Sequence, residues 1–282
     1  MIDVVSVSLG APGRDRDTVV RVGGDAVRVR RVGCNGDYEK AQRFLSELDG
    51  KVGAIGLGGL NFSYRTQEKT WPMPGATRLR QAVRLTPLVD GSGFKDAIEP
   101  QAAQALPGKG RALVVSVLDR PAAARALAAA GYRVQAGDPH FALGMPIWPS
   151  DARFQAMAAV AMPILRHLPR GAVYGERPDR TERQPARWDV IWGDVQLLRR
   201  HPVGLGGAIL IGGSLRSDDA DWLRQRGVRM LIAASPPVDG EVFGANVWDA
   251  ILAALHGRAL RRDEMEDAWT ALYGRQGWVT IV

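Results

Sequence analysis

The sequence predicts an α/β protein: a Rossmann-like parallel sheet preceded by a mixed α/β N-terminal domain. Three observations carry this. Continuous apolar runs such as residues 112–118 (ALVVSVL) are of the kind that forms strands covered on both faces. Helical patterns of about ten residues separate these runs, the spacing of right-handed βαβ crossovers. Several runs end in glycines and small polar residues, as strands do where an α/β sheet builds a pocket at their carboxyl ends.

Taken in order, residues 2–9 form an opening strand rich in Val and Ile. Residues 18–22 and 26–32 flank Gly23-Gly24-Asp25. In the second run Val27, Val29 and Val32 alternate with Arg28, Arg30 and Arg31, so an antiparallel hairpin is expected. Residues 37–48 carry apolar positions at helical spacing (Tyr38, Ala41, Phe44, Leu45, Leu48), with Asp37 as N-cap and Gly50 as stop. A strand over 52–55 leads into Gly56-Leu-Gly-Gly59. Residues 61–74 lack periodicity and read as an irregular lid or hairpin. A short helix over 77–84 and a strand over 85–89 lead to Asp90-Gly-Ser-Gly93. A helix over 94–106 follows, disturbed at Pro100.

Pro107-Gly-Lys-Gly110 reads as a linker, which divides the chain into domains 1–108 and 109–282. Beyond it come a strand (112–118), a helix (120–130), a strand (132–136), a Gly/Pro-punctuated segment (137–149) and a long helix (150–168) bent at Pro163. A short strand (172–174) and a charged loop (177–187) precede the strand 188–192, which reaches Gly193-Asp194. A short helix (195–200), a strand (208–211), a helix (217–226), a strand (228–233) and helices over 244–255 and 262–274 complete the chain.

The chain has 282 residues, 46% of them apolar, enough for one large domain or two modest ones. Its net charge of +7 is spread out and carried mainly by Arg, with only five Lys. A solvated Arg-rich surface that favours a small anionic ligand is expected, rather than a nucleic-acid track. The aromatic residues make no stacking platform for single strands. Cys34 is the only cysteine, so no internal disulfide forms, as suits a reducing cytosol. No secretory signal and no apolar run of membrane-spanning length are present, so a cytoplasmic protein without a membrane partner is expected. A homo-oligomer is compatible with the sequence, which does not fix the oligomeric state.

The best constellation for chemistry is Asp90-Gly-Ser-Gly-Phe-Lys95. A carboxylate, a hydroxyl and an ammonium fall within one strand-to-helix turn. Asp90 and Lys95 are the candidate acid–base pair, the ammonium donating to a substrate oxygen as charge develops on it. The alternative is a helix cap with a solvated lysine. Gly56, Gly58 and Gly59 follow a strand and permit close backbone approach of a ligand, or merely turn the chain; they are not Gly-x-Gly-x-x-Gly. Asp194 binds a ribose or substrate hydroxyl, or caps a helix. Gly212, Gly213 and Ser214 sit at a strand end with a helix soon after, a place for phosphate or ribose. Ser92, Arg199 and Asn246 are candidate substrate contacts. Of the histidines none has metal-helix spacing, so no metal is expected; His140, just after a strand end, is the one to watch. The Gly-x-Ser-x-Gly hydrolase elbow is absent.

Several stretches together resemble a bacterial family that commonly carries the name quinate 5-dehydrogenase. They are Gly56-Leu-Gly-Gly59, residues 86–95 (TPLVDGSGFK), 189–200 (DVIWGDVQLLRR), 219–232 and 243–247 (FGANV). The resemblance implies oxidation of the C5 hydroxyl of quinate to 3-dehydroquinate with NAD or NADP. The Asn-x-Thr-x-Pro-x-Lys and Gly-x-Asn-Thr-Asp motifs of well-understood quinate and shikimate dehydrogenases are absent, so their catalytic residues are not transferred. A nicotinamide oxidoreductase with Asp90 and Lys95 at the reacting hydroxyl is the first expectation. A non-catalytic protein that binds a nucleotide or anion is the second.

Overall fold

A computed structural model describes residues 1–168 and 187–274. The chain forms two compact α/β units. Among the described residues the first holds Met1–Tyr64, Pro72–Ile98 and residues 244–274; the second holds Arg65–Trp71 and Glu99–Phe243. The sequence reading drew one boundary at 108/109. The packing instead breaks at Ile98/Glu99 and returns the last helices to the first unit. An apolar helix joins whichever sheet face it covers, a choice that local pattern does not encode.

The first unit opens with β1 (Ile2–Ser8), followed by β2 (Arg16–Val22) and β3 (Asp25–Gly33). Gly23 and Gly24, both at positive φ, make the two-residue turn of an antiparallel β2–β3 hairpin. β3 then lies parallel to β1. Helix α1 (Tyr38–Leu48) is capped by Asp37, whose carboxylate accepts from the Lys40 N–H at 2.9 Å. β4 (Ala54–Gly58) pairs parallel with β1.

Residues 61–74 are more regular than expected. They contain a two-stranded ribbon, β5 (Ser63–Arg65) with β6 (Thr70–Pro72), and helix α2 (Pro74–Arg80) begins at Pro74, where a missing N–H costs nothing. The strand expected over 85–89 shortens to β7 (Leu88–Val89), because the Asp49 carboxylate captures the N–H groups of Arg84, Leu85 and Thr86. Helix α3 (Ser92–Ala97) stops before Pro100, and a 3₁₀ segment, Glu99–Ala105, replaces the rest of the expected helix.

The second unit contains β8 (Gly110–Val114), α4 (Pro121–Ala129), β9 (Tyr132–Ala136), α5 (Asp138–Leu143) and α6 (Asp151–Leu165). The strand and loop expected over 172–174 and 177–187 fall almost wholly outside the described residues. Then come β10 (Val190–Trp192), α7 (Val195–Arg200), β11 (Ile209–Gly212), α8 (Ser217–Gln225) and β12 (Met230–Ala233), with a small antiparallel ribbon of β13 (Pro237–Val238) and β14 (Glu241–Val242). The sheet order is β12-β11-β10-β8-β9, all parallel. This is the 2-1-3-4-5 doubly wound order, whose switch point lies between β8 and β10. Leu113, Val115, Ile191, Leu210 and Leu231 fill one side of it.

The chain returns to the first unit through α9 (Ala245–His256) and α10 (Arg262–Tyr273). α9 is apolar almost throughout and packs on β1, β4 and β7. Phe94 of α3 meets Trp248 and Trp269 at ring-centroid distances of 6.5 and 5.0 Å, an aromatic core that locks α3, α9 and α10 together. The first unit's sheet runs β2-β3-β1-β4-β7, and its four parallel strands end together at Gly33, Ser8, Gly58 and Val89.

Candidate functional site

The carboxyl edge of the first unit gathers the polar residues. Gly91 at φ +84° bends the chain sharply after β7. A Cβ there would lie 2.5 Å from the Asn246 nitrogen, so only glycine fits. Asp90, 4% exposed, accepts from the Phe62 N–H at 2.6 Å through Oδ2 and from the Ser92 N–H at 3.0 Å through Oδ1. Lys95, 8% exposed, donates from Nζ to Asn61 Oδ1 at 3.2 Å. The lysine is therefore not the solvated one of the alternative reading. One turn into α9 the edge receives a third charge, Asp249, 4% exposed. Its carboxyl accepts from the backbone N–H groups of Gly91 and Gly93. Burial, and next the Asp90 charge, push it up to about 7, against the pull of those N–H groups and the Lys95 ammonium.

Two buried carboxyls and a buried ammonium thus meet where α9 packs on one turn. Asp249 titrates near neutrality, where a proton carrier works best. Sequence reading passed over Asp249. Its signal was a carboxylate in the middle of an otherwise apolar helical run, ANVWDAILAALH. A charge on a buried face has to be paired or neutralised, and so marks a site or a latch.

Asn246 does sit at this edge, donating from Nδ2 to Ser6 Oγ at 2.9 Å. Its position explains Gly56, and the Ser8 side chain explains Gly58. A Cβ on Gly56 would lie 2.4 Å from the Asn246 carbonyl oxygen, and one on Gly58 would lie 2.9 Å from Ser8 Oγ. Gly56 admits the protein's own helix α9, and Gly58 admits Ser8 of β1. Gly59, at φ +71°, turns the chain. Ser92 begins α3 beside Asp90.

The remaining expected residues lie in the second unit. Asp194 caps α7, accepting from the Gln196 N–H at 2.8 Å. Arg199 pairs with Asp219 at 3.1 Å and donates to the Asp218 carbonyl at 2.8 Å. Gly212 is packed by Leu215 and Gly193, while a Cβ on Gly213 would meet nothing nearer than 3.8 Å. Ser214 is left-handed at φ +59°. His140 lies in α5 against Trp148, ring centroids 4.6 Å apart. Among the described residues no group of three or more His, Cys, Asp or Glu is placed to hold a metal.

The turn after β8, first at the switch point, carries its own anion. Asp138, buried, accepts from Ser116 Oγ and the Val117 N–H, each at 2.7 Å, and from the Leu118 N–H at 3.2 Å. Burial pushes its carboxyl up to about 6 against these bonds. Next to it Arg120 is held by Asp119 and by Glu99, whose carboxylate is 2.9 Å away. A dinucleotide pyrophosphate needs free N–H groups and open backbone at such turns. At Gly56 the space is filled by Asn246 and at Gly58 by Ser8, and at Val117 and Leu118 the N–H groups are taken by Asp138. These turns do not fit NAD or NADP.

The family model described as "Domain of unknown function (DUF8754)" matches residues 97–278. The chain belongs to that family. A second, "Domain of unknown function (DUF8753)", matches residues 3–90. No curated protein matches the chain. Among solved structures, the chain is similar to a carbohydrate transporter solute binding protein from Agrobacterium radiobacter in complex with D-arabinose. That match has 11% identity, covers 100% of this chain and 94% of that one, and has a TM-score of 0.33. It is also similar to an ABC transporter periplasmic solute binding protein from Actinobacillus succinogenes with bound D-allose (10% identity, 95% and 100% covered, TM-score 0.33). A third is an NAD-dependent malic enzyme from Thermotoga maritima (11% identity, 98% and 84% covered, TM-score 0.32). No helix among the described residues is long and apolar enough to cross a membrane.

Proposed function

We propose that this protein is an enzyme acting on a small polyhydroxy carboxylate of the quinate type, with its acid–base centre at Asp249, Lys95 and Asp90. The observation that carries the reading is Asp249, a carboxyl at about 7 beside a buried lysine and a second buried carboxylate. In its ionised form Asp249 takes the proton of a substrate hydroxyl. Lys95 donates to the oxygen as negative charge grows there. Asp90 raises the basicity of Asp249 by its charge and fixes the turn through Phe62 and Ser92.

Oxidation of that hydroxyl to a ketone, with NAD or NADP taking the hydride, is the reaction that the family resemblance implies. The turns at Gly56–Gly58 and after β8 do not support a pyrophosphate seat, so no step is derived through the dinucleotide. A second reading, a non-catalytic binding protein, is favoured by one observation: Asp90 and Asp249 spend their acceptors on this chain's own N–H groups, as structural latches do.

Turnover of quinate and shikimate, each with NAD, NADP or no cofactor, separates the readings when run on the wild type, Lys95→Ala and Asp249→Asn. The expected result is a reaction lost by on the order of a hundredfold or more in both variants while they stay folded. Ligand binding without turnover supports the second reading. Full turnover in both variants overturns the first.

A further inference from the structure

In the second unit the turns after β8 and β10 flank the switch point, and the turn after β11 lies next to them. One buried carboxylate ties the three together. Glu99, 1% exposed, begins the 3₁₀ segment. Its Oε2 accepts from Arg120 Nε at 2.9 Å, just before α4. Arg120 is also held by Asp119 and feels the charge of Asp194, which follows β10. The other oxygen of Glu99, Oε1, has no hydrogen-bond donor among the described residues. It faces the turn after β11. The point where a Cβ on Gly213 would stand lies 3.8 Å from Glu99 Oε1 and 3.9 Å from the Ala234 methyl, with no other described residue within 4 Å beyond the chain neighbours of Gly213. Gly213 thus leaves open a space walled by a carboxylate oxygen and a methyl.

We propose that this space is a binding site for the vicinal hydroxyls of an uncharged ligand, with Glu99 as their acceptor. The site uses residues of the second unit alone and does not rest on the acid–base reading at Asp249. A carboxylate paired with a guanidinium only accepts, so the group that meets Oε1 is a donor. A phosphate is repelled by Glu99. An ammonium gains little, because Arg120 already offsets the charge of Glu99 and the ammonium would lose its own hydration. A hydroxyl donates without bringing a charge out of water. Two hydroxyls on adjacent carbons can donate together, since Arg120 Nε occupies only one of the lone-pair sites of the carboxylate. The Ala234 methyl suits the carbon side of such a ring, and the missing side chain at Gly213 lets the ring come close to the backbone. Of the phosphate and ribose that the glycines of this turn led one to expect, Glu99 selects the hydroxylated one.

The test is binding to the full chain, by calorimetry and ligand-observed NMR, of methyl β-D-ribofuranoside, adenosine, 2′-deoxyadenosine and inorganic phosphate. The riboside and adenosine each carry a vicinal diol, and 2′-deoxyadenosine carries none. At least one of the two diols is expected to bind with a Kd of about 1 mM or tighter. Binding of the riboside identifies a free sugar as the ligand, and binding of adenosine alone identifies a nucleoside. Gly213→Val fills the space without backbone strain, since Gly213 is not at positive φ, and is expected to weaken binding at least about tenfold. Glu99→Gln keeps the shape of the side chain, replaces an acceptor with a donor, and is expected to weaken binding to a similar extent. Gly13→Ala, at an open glycine of the first unit, is the control and binds as the wild type does. 2′-Deoxyadenosine is expected to bind at least about tenfold more weakly than adenosine. No binding of either diol at about 10 mM overturns the proposal. So does binding that Gly213→Val and Glu99→Gln both leave intact, or binding of phosphate or 2′-deoxyadenosine as tight as that of the diols. None of these outcomes bears on the turnover of quinate, so the reading at Asp249 stands or falls by its own experiment.

Discussion

Replacing Asp249 with Asn isolates the electrostatics of the site. The amide has the shape of the neutral acid, so it keeps the packing and removes the titration. In the folded protein the Asp249 carboxyl is raised to about 7, against 3.8 as the ordinary value. The folded state therefore holds the proton more tightly than the unfolded one. Its contribution to stability is full below the unfolded value and falls as pH rises, until it levels off above about 7. The gap is about 3 units, and at about 1.36 kcal/mol per unit it amounts to roughly 4 kcal/mol. Urea denaturation at pH 4, 5.5 and 8 measures it. Asp249→Asn is expected to match the wild type near pH 4 and to exceed it by up to roughly 4 kcal/mol at pH 8. An Asn variant equally or less stable at pH 8, with the same difference at pH 4, would refute the reasoning, because Asp249 would then be an ordinary ionised carboxylate.

The other predictions follow from the same packing and charges. Asp138→Asn in the second unit is expected to show the same sign over a narrower window. It matches the wild type near pH 4 and is more stable by roughly 3 kcal/mol above pH 6, for a gap of about 2 units. Gly56→Ala forces a Cβ to 2.4 Å from the Asn246 carbonyl, so urea melts are expected to show a loss of about 1–3 kcal/mol. Trp269→Ala empties the centre of the α3–α9–α10 aromatic core and is expected to cost about 3–5 kcal/mol in the same assay. Lys95→Met removes the ammonium facing Asp249 and is expected to move the Asp249 midpoint higher still, as read by carboxyl NMR.

Much of the fold was legible because local physics set it. The Gly23-Gly24 hairpin, the Asp37 cap and the apolar runs of β8 and β11 depend on neighbours in sequence. What was not legible depends on partners far along the chain. Asp49 shortened the strand before Asp90 from 35 to 37 residues away. The glycines of 56–59 look like a ligand cradle locally, and only the return of α9 shows that Asn246 takes the space at Gly56. Asp90 and Lys95 were legible as a cluster because they share one turn. Asp249 was not, because nearly 160 residues separate it from them in sequence, and only the fold brings it back. In the second unit Asp138 stands 20 residues or more from the N–H groups it captures, so the turn after β8 gave no sign that its anion site was taken.

The most direct measurement is a carbon-13 NMR titration of the Asp249 carboxyl, assigned by difference from Asp249→Asn, with and without quinate. A midpoint near 7 that moves when quinate is added is the expected result. A midpoint near 4, unmoved by quinate or shikimate, would contradict an acid–base centre at this turn.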